Sequence, residues 1–336
     1  MPAAITPKIL VIRGGAIGDF LLTLPAIQLL REAFPNVRLE ILGYEHIIVL
    51  AESGGLADAT RSIEYAAMAG FFNPKAELDA GLCAYFAGFQ QVISYLYDPD
   101  GFFAGNLRRA GVRQLLEASP KIDPEADHAT RQLARPLERL ALYLEDPCVR
   151  LPIAAADREF ARRFLDNGAL QGTARRRLVA IHPGSGGERK NWPAERWAEL
   201  GRWLQSFPAD ERPRLLVVGG EADDKALAGL RALSAPGHDV AWAENLSLPQ
   251  VAALLAQADL FLGHDSGISH LAAAAGARCL LLFGPTDPDI WAPPCRSVTV
   301  LRSPGGSMRG LELATVQEAV RVCFAADRPI KIDSGP

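Results

Sequence analysis

The chain has 336 residues, 49% hydrophobic and 22% charged, which is ordinary globular material and enough for two cores. Thirty-five basic residues against 39 acidic ones leave a net charge of −4, so no sequence-wide basic excess points to nucleic acid. No apolar run approaches the roughly 18 to 20 residues of a membrane span, and no charged-then-apolar leader precedes the first strand.

Lys8-Ile-Leu-Val-Ile12 reads as a buried parallel strand. It runs into Arg13-Gly14-Gly15-Ala16-Ile17-Gly18-Asp19, where three glycines in five residues mark a tight bend or a close approach. An amphipathic helix follows from Phe20 to about Phe34, with Pro25 expected to kink it or to mark its true start. The glycines do not form Gly-x-Gly-x-x-Gly, which argues against a dehydrogenase. Alternation then continues: a strand at Arg38 to Leu42, a helix at His46 to Ser53, an extended run at Thr60 to Tyr65, a helix within Ala76 to Phe86, a strand at Val92 to Tyr97, and helices at Phe102 to Ala110 and His128 to Leu144. This is the rhythm of a parallel sheet covered on both faces.

Glu145 to Pro152 breaks the rhythm, and a charged helix follows from about Ala156 to Asn167. The pattern then restarts with strands at Leu178 to Ile181, Arg214 to Val218, Asp239 to Trp242, Leu260 to Leu262, Arg278 to Phe283 and Val298 to Leu301, and a last helix at Thr315 to Ala325. The expected organisation is an N-terminal Rossmann-like domain over 1–155, a linker over 156–176, a second Rossmann-like domain over 177–312 and a terminal segment over 313–336. Two αβα sandwiches imply a cleft between them for a ligand. Cys83, Cys148, Cys279, Cys295 and Cys323 are odd in number and lack metal-ligand spacing, so a reducing compartment is the default.

Three loops carry chemistry. After the strand Asp259 to Gly263 comes His264-Asp265-Ser266-Gly267-Ile268-Ser269-His270, then an Ala-rich helix. Ser266 or Asp265 suits an N-cap. The first amides of such a helix lack internal partners and carry its positive end, which suits a diphosphate. The second loop is His182-Pro-Gly-Ser-Gly-Gly-Glu-Arg-Lys190, whose Gly184, Ser185, Gly186 and Gly187 form an amide-rich cradle with Lys190 as the cation. It is not a Walker loop. In the third, Glu221 after Val218-Gly-Gly is placed to accept bonds from ribose hydroxyls. Leu246, before the helix Ser247 to Ala258, offers an apolar shelf for a base, with core packing as the plainer role.

The set Gly18-Asp19 with Thr23-Leu-Pro25, His182-Pro-Gly-Ser with Glu-Arg-Lys190-x-Trp192, and Asp265-Ser-Gly-x-Ser-His270 with Gly284-Pro-Thr-Asp-Pro288 resembles glycosyltransferase family 9, the ADP-heptose:lipopolysaccharide heptosyltransferases and their relatives. The resemblance implies a GT-B architecture, with two Rossmann-like domains facing each other and the nucleotide-sugar on the C-terminal one. It also implies that the final helix packs back toward the N-terminal domain. By that resemblance Asp19 matches the general base and Lys190 the diphosphate lysine. Ser185, Gly186, Asp265, Ser266, Gly267, Ile268 and His270 match the donor diphosphate site, and Glu221 and Leu246 the nucleoside contacts. The implied reaction is inverting, metal-independent transfer of a sugar, heptose from ADP-heptose, to a lipopolysaccharide-core or related glycolipid acceptor. No metal and no cofactor are expected; the nucleotide-sugar is a co-substrate. Residues 66–127 show no acceptor signature. The implied setting is cytoplasmic, with peripheral contact at the inner face of the cytoplasmic membrane through the N-terminal domain. There Phe71, Phe72, Phe86, Phe89, Phe102 and Phe103 are either an apolar acceptor-side surface or aromatic core. Two other readings stay open: an epimerase-like sugar-nucleotide enzyme of the same architecture, and a catalytically silent nucleotide-sugar-binding protein.

Overall fold

The computed structural model describes residues 6–167, 176–220, 223–234 and 239–326. Its first sheet is built from β1 (Lys8–Arg13), β2 (Arg38–Gly43), β3 (Ala59–Ser62), β4 (Gln91–Ser94) and β5 (Leu115–Glu117), in the order β3-β2-β1-β4-β5. The second is built from β6 (Leu178–Ile181), β7 (Arg214–Gly219), β8 (Val240–Glu244), β9 (Leu260–His264), β10 (Cys279–Phe283) and β11 (Val298–Arg302), in the order β11-β10-β9-β6-β7-β8. Neighbouring strands pair in parallel. The helices of the first half are α1 (Ile17–Ala33), α2 (Glu45–Ser53), α3 (Ala80–Ala87), α4 (Phe102–Arg109) and α5 (Ala129–Ala134). The second half carries α6 (Ala155–Asn167), α7 (Ala194–Gln205), α8 (Asp224–Leu227), α9 (Leu248–Leu255), α10 (Gly267–Ala274), α11 (Pro288–Trp291) and α12 (Leu313–Ala326).

Side chains alternate across each strand, so a strand buried on both faces must be apolar throughout. In β1, Ile9 and Val11 enter one core while Leu10 and Ile12 enter another that holds Phe71, Phe86 and Phe103. In β9, Leu260 and Leu262 face one core and Phe261 the other. Both sheets are doubly wound about their first strand. In such sheets the ligand crevice opens beyond the carboxyl ends of the strands, where the strand order reverses. That point lies between β1 and β4 in one half and between β6 and β9 in the other. It is where Arg13 to Asp19, His182 to Lys190 and His264 to His270 sit.

The two halves pack against each other. One apolar core runs through both, with α1 packed on α10 and both α2 and α6 packed on α9.

Several elements differ from the sequence expectation. α1 starts at Ile17, before Pro25, and continues past that buried proline. Residues 128–144 form only α5 and then a 3₁₀ turn over Arg135–Leu140, because Pro136 at the start of that turn has no N–H to continue an α-helix. The charged helix expected at about Ala156 to Asn167 is α6, whose Phe160, Ala161, Phe164 and Leu165 pack into the shared core. The described part of the last helix packs on the C-terminal domain rather than on the N-terminal one. Val316, Val320, Cys323 and Phe324 fill that domain's outer core, and Arg177 and Arg278 donate to the carbonyls of Phe324 (3.1 Å) and Cys323 (2.8 Å). Cys148 and Cys295 form a disulfide with Cα atoms 5.0 Å apart, where the sequence offered only the default of a reducing compartment. Of the six phenylalanines, Phe71, Phe86, Phe89 and Phe103 are core, while Phe72 and Phe102 are 47% and 39% exposed. No described helix is long and apolar enough to cross a membrane.

Candidate functional site

The N-terminal half contributes the first turn of α1. Gly15 turns the chain at φ +98°, and any Cβ there would stand 2.7 Å from Asp19 Oδ2. This lets the Asp19 carboxylate fold back over the turn, where Oδ2 accepts the N–H of Ala16 (2.9 Å). The Asp19 side chain remains 45% exposed. Behind it lies Arg13, 4% exposed at the end of β1. Its Nε donates to Thr23 Oγ1 (3.0 Å), its NH1 to the Tyr95 carbonyl (3.3 Å), and its Nε and NH2 to the Asp19 carbonyl (3.3 and 3.2 Å). NH2 also stands 3.6 Å from Asp19 Oδ1. Burial lowers the pKa of Arg13, against the opposing charges of Asp19 and Tyr95.

The C-terminal half contributes the turn between β9 and α10. Ser266 is the N-cap, with Oγ accepting from Ser269 N (3.3 Å). The amides of Gly267 and Ile268 open α10 with no carbonyl a turn below them, at the positive end of the helix dipole. Asp265 is 9% exposed and accepts from Lys190 Nζ at 2.7 Å. Lys190 ends the short 3₁₀ turn Glu188–Lys190, so the phosphate-type loop and the α10 turn are joined by this ion pair. A carboxylate cannot itself hold a diphosphate, so Asp265 acts in this arrangement by holding the ammonium of Lys190 at the mouth of the helix.

The two halves touch at glycines. A Cβ on Gly18 would lie 3.7 Å from Gly267 Cα, and one on Gly267 would lie 2.8 Å from Ile17 Cβ and 3.0 Å from Gly18 N. The N-termini of α1 and α10 therefore abut, with Asp19 on one and the Lys190–Asp265 pair at the other. A second link is His128, whose Nε2 donates to the Ala292 carbonyl (2.7 Å) while its Nδ1 accepts from Thr130 N (3.2 Å). Its ring is neutral in that arrangement, and burial lowers its pKa against the pull of Ala292. Burial also pushes His270 well below its ordinary value, against Asp265 and the Trp291 backbone. His264, fully buried, is pushed to about 3 by burial and by His182. Its Nε2 accepts Trp192 N (2.8 Å), so it is a neutral anchor for the Lys190 loop.

The sequence profile of glycosyltransferase family 9 (heptosyltransferase) matches residues 108–320. The chain belongs to glycosyltransferase family 9. It is 25% identical over 298 residues to lipopolysaccharide heptosyltransferase 3 of Escherichia coli, covering 82% of this chain and 83% of that protein. It is 23% identical to lipopolysaccharide heptosyltransferase 1 of an E. coli O18:K1:H7 strain, covering 93% and 97%. The fold matches that of a family 9 glycosyltransferase from Veillonella parvula, with a TM-score of 0.77 at 18% identity over 96% of this chain and 98% of that one. It also matches E. coli ADP-heptose lps heptosyltransferase II, with a TM-score of 0.72 at 19% identity over 95% and 99%. The architecture is thus GT-B, and the protein is a glycosyltransferase.

Within this family 9 enzyme, the expected residues do not all meet. Asp19, Lys190, Asp265, Ser266, Gly267, Ile268 and His270 converge where the α1 and α10 turns abut. Ser185 turns inward: its hydroxyl donates to the Gly187 carbonyl (2.9 Å) and accepts Gly187 N (3.3 Å). Gly186 has open space around its Cα. Leu246 is half-buried against the shared core after β8, three strands from β9. Glu221 lies outside the described residues.

Sequence reasoning missed three residues. Arg13 was visible only as a charge ending an apolar strand. Asp223 holds His182 Nε2 (3.3 Å) and Gly220 N (2.9 Å), and it occupies the space a Cβ of Gly184 would need, at 1.9 Å. Burial opposes its ionisation, but His182 and Gly220 win and its pKa is lowered. His128 carried no signal at all, because its partner is 164 residues away. Among the described residues no group of three or more His, Cys, Asp or Glu is placed to hold a metal ion. Two structural neighbours, by contrast, are iron-containing: TibC from enterotoxigenic E. coli and its complex with ADP-D-beta-D-heptose.

Proposed function

We propose that this glycosyltransferase transfers heptose from ADP-heptose to a lipopolysaccharide-core acceptor, with inversion at the anomeric carbon and without a metal ion. The observation that carries the mechanism is the abutment of the α1 N-terminus, which bears Asp19, with the α10 N-terminus, beside which the Lys190–Asp265 pair stands. The acceptor hydroxyl oxygen bonds to the anomeric carbon as the carbon–oxygen bond to the diphosphate breaks. The hydroxyl proton goes to Asp19, and the bonding electron pair leaves with ADP. A positioned base of this kind contributes about 10²–10⁴-fold. Lys190 and the amides of Gly267 and Ile268 supply fixed positive charge where the diphosphate gains negative charge. The donor choice rests on the family and on relatives whose names specify lipopolysaccharide heptosyl transfer. The nucleoside then runs from the β6/β9 switch point toward Leu246 after β8, across strands spaced about 4.8 Å apart.

Peripheral attachment at the cytoplasmic face of the inner membrane goes with a glycolipid acceptor. On the N-terminal half, exposed Tyr65, Phe72, Tyr97 and Phe102 are the residues for it.

The test is transfer from ADP-heptose to a lipid A-core acceptor by wild type, Asp19→Asn and Lys190→Ala, with ADP, GDP, UDP and CDP binding by calorimetry. Asp19→Asn should lose about 10²–10⁴-fold in kcat with ADP affinity kept. Lys190→Ala should weaken ADP binding by about 1.5–3 kcal/mol, the worth of a charged hydrogen bond. Transfer surviving above roughly a few per cent in Asp19→Asn removes the base assignment. A preference for UDP or GDP discards ADP-heptose as donor, and a rate abolished by EDTA discards the metal-free mechanism. Turnover of donor without acceptor would favour the epimerase-like reading.

A further inference from the structure

We infer that Arg13 is a positioning residue for Asp19, and that Oδ1 of Asp19 is the oxygen that receives the acceptor's proton. This rests on the proposed role of Asp19 as the base.

An arginine 4% exposed at the end of Ile9-Leu-Val-Ile12 is costly to bury and needs fixed partners. Its partners are one-sided. Two of its nitrogens converge on the main-chain carbonyl of Asp19, a third points to the carbonyl of Tyr95 at the end of β4, and Nε also reaches Thr23 Oγ1. The Thr23 hydroxyl donates to that same Asp19 carbonyl (2.8 Å). The Asp19 carbonyl is therefore gripped by Arg13 from β1 and by Thr23 from the next turn of α1, while Arg13 is itself anchored to the Tyr95 carbonyl just past β4, across the point where the strand order reverses.

The carboxylate is treated differently. A structural ion pair would place NH2 on it within hydrogen-bond distance, but NH2 bonds the carbonyl and stands 3.6 Å from Oδ1. Oδ2 already accepts Ala16 N at 2.9 Å. The two oxygens are thus unequal: Oδ2 is the anchor, and Oδ1 keeps its lone pairs while feeling a fixed positive charge. A planar guanidinium spreads fixed donors over three nitrogens to reach a hydroxyl and two carbonyls, whereas the three donors of an ammonium radiate from one atom.

The experiment uses the full chain with Arg13→Met, Arg13→Lys and Thr23→Val, measuring kcat, donor KM, ADP affinity and melting temperature. A misplacement near 1 Å costs about 10²-fold. Arg13→Met should therefore lose about 10²-fold in kcat with donor KM and ADP affinity unchanged, and Arg13→Lys should recover part of the loss. Thr23→Val, which removes one strut, should lose less in kcat, again with ADP affinity kept. It serves as the test if Arg13→Met does not fold. Two outcomes overturn the inference: folded Arg13→Met or Thr23→Val with wild-type kcat, or kcat and ADP affinity falling together with melting temperature. If Asp19→Asn is inactive while Arg13→Met is active, only this inference fails. If Asp19→Asn is active, the base assignment itself fails.

Discussion

A single methyl group at Gly267 should pull the two halves of the site apart. Its Cβ would stand 2.8 Å from Ile17 Cβ, 3.0 Å from Gly18 N and 3.1 Å from Ile17 Cγ2. Carbon atoms settle at about 3.5–4.0 Å, so the turns of α1 and α10 must separate by roughly 0.7–1.2 Å. No rotamer relieves this, because Ile17 Cβ and Gly18 N move only with the backbone. Overpacking of this kind costs about 1–3 kcal/mol. If that strain is released by opening the gap, Asp19 moves away from the donor, and a shift near 1 Å costs about 10²-fold in rate. The clash faces the N-terminal half, so the α10 amides keep their place. ADP affinity should then change by less than about 0.5 kcal/mol. Steady-state transfer kinetics and ADP calorimetry on Gly267→Ala read both numbers. Gly105→Ala, whose Cβ meets nothing within 4 Å, is the control. A folded Gly267→Ala with wild-type kcat, or one that loses ADP binding in step with kcat, refutes the idea that this contact sets the distance between base and donor.

Removing Lys190 leaves the buried Asp265 carboxylate facing the diphosphate. Lys190→Ala combined with Asp265→Asn should therefore bind ADP more tightly than Lys190→Ala alone; calorimetry giving equal or weaker binding counts against the ion pair. His264, His270 and His128 all have folded pKa values below the unfolded 6.5, so unfolded chains bind protons first. Their contribution is complete above pH 6.5 and is lost as pH falls, for His264 down to about 3. The urea midpoint should drop between pH 7.5 and 5, above the window in which Asp223 titrates, and a constant midpoint contradicts the neutral buried rings. The Cys148–Cys295 bond joins positions 147 residues apart. Cys148→Ser should cost roughly 2–4 kcal/mol, and an unfolding midpoint indifferent to it would mean that the bond does not constrain the chain.

The fold was legible because its signals are local. Apolar runs such as Lys8 to Ile12 and Leu260 to Leu262, short and flanked by turn residues, fit strands covered on both faces, and their alternation with helices points to a parallel sheet twice over. The Asp265-Ser-Gly turn was legible for the same reason: it lies between a buried strand and an Ala-rich helix capped by Ser266. Elements whose ends depend on distant packing were misjudged. α1 runs through Pro25 because the shared core grips both sides of it, and residues 135–140 tighten into a 3₁₀ turn where Pro136 interrupts the helix.

What the sequence determined by itself was the two-domain α/β architecture and which loops could hold charge, since both follow from residue order within a few turns. The tertiary structure alone decided that the α1 turn bearing Asp19 abuts the α10 turn beside the Lys190–Asp265 pair, that Arg13 at the end of β1 grips Asp19 and is anchored to the Tyr95 carbonyl, that Cys148 reaches Cys295, and that His128 bridges to Ala292. Each joins groups far apart in the chain. Their approach is set by how the helices of two sheets share one core, and no local pattern records it.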